Sequence, residues 1–271
     1  MYVCALGDLL LDVVVRLDEP IVPDTDTYGR TLVGAGGQAA NVAAWAAALG
    51  ARARLIAALA RDPAGKILAE ELRDRRVELA GGVVEGRTGT VVSIATPDGR
   101  RTMLADRGVA PELSAGMIRQ ADLAGCDVLH VTGYSLTAEP ARAAALAAAD
   151  LARRAGGRVS LDVSSVGAAK RVGLDTFRRA CAELGPDIAF ATEPERELAG
   201  ELGASTWVVK RGAQGFVVEE PAGRSEHPAL ASDVVDATGA GDALAAGYLV
   251  GGPALAAEAA ARCVSRMGAM P

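Results

Sequence analysis

Short apolar runs alternate with longer stretches of helical spacing through most of the chain. The runs at 2–6, 53–59, 127–131, 158–163, 187–191 and 206–209 are rich in Val, Ile, Leu and Ala and predict buried strands. Helical stretches fall at about 38–49, 64–75, 139–154, 174–183 and 195–201. Strands separated by helices predict an α/β architecture, a mostly parallel sheet covered by helices on both faces. Two regions, 13–34 and 88–106, break the alternation. In the second, the β-branched segments 90–94 and 101–104 flank Pro97-Asp98-Gly99, whose turn chemistry predicts a hairpin. Together the two regions are expected to form a small antiparallel sheet projecting from the main body. The last quarter predicts a strand pair around 216–219, a segment at 234–242, and two alanine-rich helices separated by Gly251-Gly252-Pro253.

Composition narrows the class. Half of the 271 residues are apolar and 23% are charged, with 32 glycines and 12 prolines, which excludes a disordered or collagen-like chain. Aromatics are only 3%, so the core must be built mostly from Ala, Val and Leu. A net charge of −6 gives no support to nucleic acid as a partner. The four cysteines contain no C-x-x-C pair, which argues against a zinc ribbon or a thioredoxin-like motif and for a reduced cytoplasm. Residues 1–17 lack a basic leader and carry Asp8 and Asp12, so they read as a buried strand rather than a signal peptide. The longest uncharged run, 31–51, is broken by Gly34, Gly36, Gly37, Gln38 and Asn41, a poor membrane span. The expected protein is soluble and cytoplasmic, with neither a membrane nor a nucleic acid as partner. Its only histidines are His130 and His227, so carboxylates and backbone amides must carry any chemistry.

Two glycine-punctuated segments supply candidates. In Asp236-Ala237-Thr238-Gly239-Ala240-Gly241-Asp242, glycines at 239 and 241 let backbone N–H groups converge at the start of an apolar helix over 243–250, a site suited to an anion. Asp242 falls in the first turn, where an acidic residue is also favoured by the helix dipole alone. Phosphoryl transfer needs donors for phosphate oxygens and an acceptor for the proton of the attacking hydroxyl, and this segment offers both. The second segment, Gly34-Ala35-Gly36-Gly37-Gln38-Ala39-Ala40-Asn41, also opens a helix. It reads equally as a tight turn with close helix packing. Its Gly34-x-Gly36-x-x-Ala39 spacing, with Asp62 beyond a strand, supports a rival dinucleotide-dependent oxidoreductase. Against that rival, the glycines do not follow the first strand.

The segments Gly36-Gly37-Gln38-Ala39-Ala40-Asn41-Val42-Ala43 and Asp236–Ala243, about 200 residues apart, closely resemble the paired signatures of the PfkB/ribokinase family of carbohydrate kinases. The resemblance runs along essentially the whole chain, through Gly7-Asp8 and Asp12, the hairpin, Val208-Val209-Lys210-Arg211-Gly212 and Gly268-Ala269-Met270-Pro271. It implies one ribokinase-like three-layer α/β/α domain over 1–271 with a β lid from about 13–34 and 88–106, and ATP-dependent phosphorylation of a hydroxymethyl group on a sugar or sugar-like molecule.

By the same resemblance, Asp242 matches the catalytic base and the amides of Gly239, Ala240 and Gly241 the anion hole. Asp12, Gly36, Gly37 and Asn41 match sugar-binding positions, and Asp12, following the first strand, is expected at the carboxyl edge of the sheet. Arg107, after the hairpin, is expected where the lid approaches the substrate; an exposed surface arginine is the plain alternative. Thr192, Lys210 and Gly212 fall at nucleotide contacts, although Lys210 and Gly212 also read as an ordinary strand end and turn. Glu195 matches the glutamate that organises water around Mg2+, with Thr192 replacing the family's usual asparagine. Gly133 stands where some ribose-type members place an acidic contact. Asp236 and the carbonyl of Thr238 match a monovalent cation site, possible K+ ligands that equally read as a turn cap. A homodimer through the lid is the expected assembly. A nucleoside kinase of the same fold is the alternative acceptor reading, and a non-catalytic ligand-binding protein is a rival from another class.

Overall fold

The computed structural model describes residues 1–98 and 100–271; Gly99, in the predicted hairpin turn, lies outside the described residues. The chain begins β1 (Tyr2–Leu6), β2 (Leu10–Leu17), β3 (Gly29–Gly36), α1 (Gln38–Ala48), β4 (Arg52–Ala60), α2 (Pro63–Asp74) and β5 (Val77–Val84). The middle holds β6 (Thr88–Ala95), β7 (Arg101–Gly108), the single turn α3 (Gln120–Leu123), β8 (Val128–Thr132), α4 (Ala141–Arg154), β9 (Arg158–Asp162), α5 (Val166–Val172) and α6 (Leu174–Leu184). Last come β10 (Ile188–Thr192), α7 (Glu193–Ala199), β11 (Thr206–Lys210), β12 (Phe216–Glu220), β13 (Gly223–His227) and α8 (Ala240–Val264).

A nine-stranded sheet runs in the order β13-β12-β11-β10-β9-β8-β1-β4-β5. Its strands pair parallel except for β12 and β13, which close one edge antiparallel. β1 is buried along its whole length because helices cover both faces: Tyr2, Cys4 and Leu6 enter one core and Val3 and Ala5 the other. The first core packs alanines of α4 with Phe177 and Leu184; the second packs α1 and α8 around the fully buried Trp45. Covering such a ring is worth roughly 2–3 kcal/mol. With few aromatics available, alanine faces let these helices approach the sheet closely.

The chain winds outward from β1 to β4 and β5, then returns to the other side at β8, so the strand order reverses beside β1. Ligands of α/β sheets gather at the carboxyl ends of the strands near such a point. Register sets Thr132 beside Asp162 and Thr192 beside Lys210 along that edge.

The four-stranded second sheet, β3-β2-β6-β7, rises from this edge. It consists of two antiparallel hairpins, β2 with β3 and β6 with β7, joined by parallel pairing of β2 with β6. Asp12 stands on β2, opposite Gly34 and Val91, and so belongs to the small sheet rather than to the edge of the large one. Its strand begins at Leu10, directly after the Gly7 turn, because the apolar run 13–15 needs a partner that the first strand does not supply. The strand pair expected around 216–219 is β12 with β13; one strand went unpredicted, β5, interrupted by Gly81 and Gly82. Asp62 caps α2 through Gly65 N–H at 2.7 Å and ties the lid to the body through Thr88 N–H and Oγ1 at 2.7 and 2.6 Å.

Among the described residues, Ala240–Val264 is apolar and long enough to cross a membrane by composition. It is interrupted by non-helical backbone at Gly251 and Gly252, as the sequence predicts, and its first half packs into the core beside α1.

Candidate active site

The glycine loop between β3 and α1 passes close beneath the end of β1. Gly37 has φ 94° and faces the backbone of Asp8, so a side chain there would be both strained and obstructed. The Asp12 carboxyl fills the space where a Gly36 side chain would lie. Asn41, one turn into α1, donates from Nδ2 to Asp242 Oδ2 at 2.8 Å, joining segments 201 residues apart.

Asp242 sits in the first turn of α8, whose cap Gly239 adopts the left-handed φ of 78° and packs against Ala269. The loop before it is clamped from the chain's last segment. Asp236 accepts from Thr238 N–H and Oγ1 at 2.9 and 2.6 Å and from Gly268 N–H at 3.0 Å, while Cys263 Sγ donates to the Thr238 carbonyl at 3.3 Å. Trp45 Nε1 donates to the Ala269 carbonyl at 2.8 Å and fixes that segment to α1. Ala240 N–H makes a long 3.3 Å bond to Ala237 O, whereas no partner is found among the described residues for the N–H groups of Gly239 and Gly241. Two free donors at a helix start form an anion site.

Burial pushes Asp242 up to about 7, with nearby Asp162 acting in the same direction; the Asn41 hydrogen bond, Lys210 and Gln38 oppose it. Lys210 pairs with the buried Asp162 at 2.6 Å, beside Gly241. Burial works against the lysine charge, but the Asp162 carboxylate outweighs it and keeps Lys210 protonated. Thr192, which pairs with Lys210 in the sheet, donates its N–H to Glu195 Oε2 at 2.7 Å, capping α7. Glu195 Oε1 has no hydrogen-bond partner among the described residues. Gly212 lies at the turn after β11 with open space where a side chain would be.

Arg107 lies inside β7, not after the hairpin, and is not an exposed arginine: its side chain is 23% exposed and grips both oxygens of Asp8 at 2.7 Å. Tyr134 lies beneath its guanidinium, 5.7 Å from centroid to carbon. A second lid arginine, Arg101, donates to Thr238 Oγ1 at 2.8 Å, so the lid touches the loop before α8 directly. Burial pushes Asp12 up to about 7, and nothing among the described residues hydrogen-bonds its carboxyl. It borders a cavity of about 140 Å3 with Leu32, Gly34, Glu71 and Gly268.

The structure brings several predicted residues into contact, Asn41 with Asp242, Asp12 with Gly36, Lys210 with Gly241 and Thr192 with Lys210, while Arg107 is held by Asp8 and Gly212 stands clear at the turn after β11. Asp236 and the Thr238 carbonyl accept from the chain's own donors. Asp162 and Ser164 escaped sequence reasoning, and Asp8 and Gln38 lie in the matched segments without a role assigned to them. Asp162 carried a signal, an acidic residue ending a buried apolar strand; Ser164 carried none. The dinucleotide reading fails on local structure, because Gly34 and Gly36 end a lid strand and Asp62 is committed to its helix cap. His130 is fully buried against Ser160 at 2.9 Å and pushed down to about 4 by burial, away from any proton-transfer task at the site.

For metal, no cluster of three or more His, Cys, Asp or Glu side chains is found among the described residues. A lone carboxylate oxygen at Glu195 suits a Mg2+ ion carried mainly by phosphates and water.

Residues 1–270 match the family described as pfkB family carbohydrate kinase. The chain is 32% identical over 259 residues to the ATP-dependent ribose-1-phosphate kinase of Halopiger xanaduensis, covering 91% of this chain and 83% of that protein. It is 30% identical over 270 residues to a fructokinase of Klebsiella pneumoniae, covering 91% and 82%. The crystal structure of adenosine kinase from Sinorhizobium meliloti superposes with a TM-score of 0.87 at 25% identity, covering 99% of this chain and 95% of that one.

Proposed function

The chain belongs to the pfkB family of carbohydrate kinases, with the family's ribokinase-like fold, and on that premise we propose that it transfers the γ-phosphoryl group of ATP to a hydroxymethyl group of a sugar or sugar-like molecule. One observation carries this reading: Asp242, fixed by Asn41 at 2.8 Å, stands beside the unpartnered N–H groups of Gly239 and Gly241. Asp242 takes the hydroxyl proton as the phosphoryl group passes in line. The amides, joined by that of Ala240 when its long bond to Ala237 yields, stabilise the phosphate charge with the α8 N-terminus. Lys210 adds a positive charge held in place by Asp162. Thr192 and Gly212 border the nucleotide.

Glu195 would help hold Mg2+, which when bound would neutralise phosphate charge. Asp12, Gly36, Gly37 and Asn41 grip the acceptor hydroxyls, and Arg107 closes the lid over them through Asp8. Asp236 and the Thr238 carbonyl keep lone pairs beside their own donors and would ligate a monovalent cation such as K+ in this reading. A reduced cytoplasmic setting fits four buried free cysteines. The exposed apolar lid residues Leu32, Val33, Met103 and Leu104 support a second copy of the chain packed there, which sedimentation equilibrium tests.

The similar proteins are named for a sugar phosphate, a hexose and a nucleoside, all polyhydroxylated ring compounds. The nucleoside reading is supported by the likeness to the adenosine kinase structure. A screen of sugars, sugar phosphates and nucleosides for ATP consumption with Mg2+ tests the proposal. Turnover with one hydroxymethyl-bearing acceptor is expected; no phosphorylated product from any of them overturns it.

A further inference from the structure

The hairpin of β6 and β7 is fastened at its root and again at its tip. At the root, where Thr88 lies opposite Gly108, Asp62 accepts from Thr88 and Arg107 grips Asp8 at 2.7 Å through two nitrogens. Asp8 is also the residue whose backbone faces Gly37. β7 is the outer strand of the small sheet and is exposed from Arg101 to Asp106, so no buried face fixes its far end. At that end Ala95 lies opposite Arg101, and Arg101 reaches out of the lid. A terminal nitrogen of its guanidinium donates to Thr238 Oγ1 at 2.8 Å, joining residues 137 positions apart.

The two arginines belong to one arrangement. Side chains alternate in direction along a strand, so positions 101 and 107, six apart, point to the same side of β7. Six steps of about 3.3 Å set their backbones about 20 Å apart. One strand thus carries an arginine near each end, Arg107 tied to Asp8 beside the first glycine loop and Arg101 tied to the loop before α8. Thr238 is suited to receive it: the hydroxyl gives its one proton to Asp236 Oδ1 at 2.6 Å and keeps lone pairs for the guanidinium. Asp236, which also accepts from Gly268 N–H, holds that loop from the body, and Arg101 holds it from the lid. We propose that Arg101 is a positioning residue that couples the lid to the loop bearing the Gly239 and Gly241 N–H groups. Docked on Thr238, it holds the loop from a second side; when the lid lifts, that hold is lost. The catalytic part of this inference rests on the reading of the loop as the phosphate site.

Residue-resolved hydrogen exchange of the ligand-free protein tests the coupling, with each variant read at the other end of the contact. Arg101→Ala, at an exposed position, is expected to speed exchange about tenfold at the hydrogen-bonded amides of Thr238, Asp242 and Ala243. Thr238→Val, which keeps the side-chain shape, is expected to speed exchange by a similar factor in the β6–β7 ladder at 92–95 and 101–104. The double variant is expected to add nothing to the larger single effect in either segment, because both changes remove the same bond. Arg100→Ala, which breaks the neighbouring ion pair with Asp98, is the control and leaves 238–243 unmoved. An effect confined to the mutated segment overturns the proposal, as does full additivity in the double variant or an equal effect of Arg100→Ala. With an acceptor that is turned over, Arg101→Ala is expected to lower kcat and raise acceptor KM, each about three- to tenfold, with the KM for ATP unchanged; an unchanged kcat overturns the catalytic part. The exchange measurement needs neither ATP nor acceptor, so a failed acceptor screen would defeat the kinase reading and leave this result readable.

Discussion

Burial pushes both Asp242, in the first turn of α8, and Asp12, on β2, from the ordinary carboxylate range up to about 7. Their surroundings differ. Asp242 is enclosed by elements of the large sheet and its helices, and Asn41, Gln38 and Lys210 stabilise its charge against Asp162. Asp12, on the lid, has desolvation and nothing to offset it. The first is held by its neighbours; the second is an acceptor without donors among the described residues. In the proposed reading, hydroxyls of a bound polyol supply them.

The sharpest break in that comparison is Asp242→Asn. Turnover is expected to fall at least about a thousandfold, while affinity for ATP and acceptor stays within about tenfold, because proton acceptor and anion site are separate groups. Steady-state kinetics with calorimetry checks this, and near-normal turnover would remove Asp242 from its role.

Asp12→Ala should act on binding instead. Losing an acceptor for two hydroxyls is expected to cost on the order of 2–4 kcal/mol, about 30- to 1000-fold in acceptor affinity, with ATP analogue affinity unchanged. An equal loss for both ligands would show that the lid residue supports the fold rather than the sugar.

Glu195→Gln is expected to raise the Mg2+ concentration for half-maximal rate by about three- to tenfold, since its carboxylate works through water. An unchanged metal dependence would leave Glu195 as the α7 cap alone.

A further effect falls on stability rather than on activity. A carboxyl with a raised folded-state pKa binds its proton more tightly when folded, so stability falls as pH rises from about 4 to 7 and the cost is complete above 7. Asp12→Asn removes that cost. It is expected to stabilise the ligand-free protein by about 1–3 kcal/mol at pH 8 and by nothing below pH 4, read by urea unfolding. The same titration at Asp242 places the acid limb of kcat/KM near pH 7 in the wild-type protein.

The residues of the site were not equally legible. The 239–242 segment declares itself because glycines, helix start and carboxylate are adjacent in sequence, so local geometry fixes their relation. Lys210 was legible as a strand end but not as half of an ion pair, since Asp162 lies 48 residues away and only the register of β9, β10 and β11 brings them together. Arg107 read equally well as a surface residue until β7 carried it to Asp8, 99 residues distant. Asp12 was placed on the wrong sheet because chain order puts it next to β1, while pairing puts it in the lid.

Periodicity and composition by themselves determined the layered α/β fold, the hairpins and the two glycine-opened helices, because each depends on residues close in the chain. The tertiary structure alone decided which polar groups are satisfied. It gave Asp236 to a turn, Glu195 to a cap and Ser164 to Gln38, and among the described residues it left Gly239, Gly241 and Asp12 without partners. Hydrogen bonds have a reach of about 3 Å, whereas the residues they join here are separated by up to 201 positions, and no local pattern encodes that meeting.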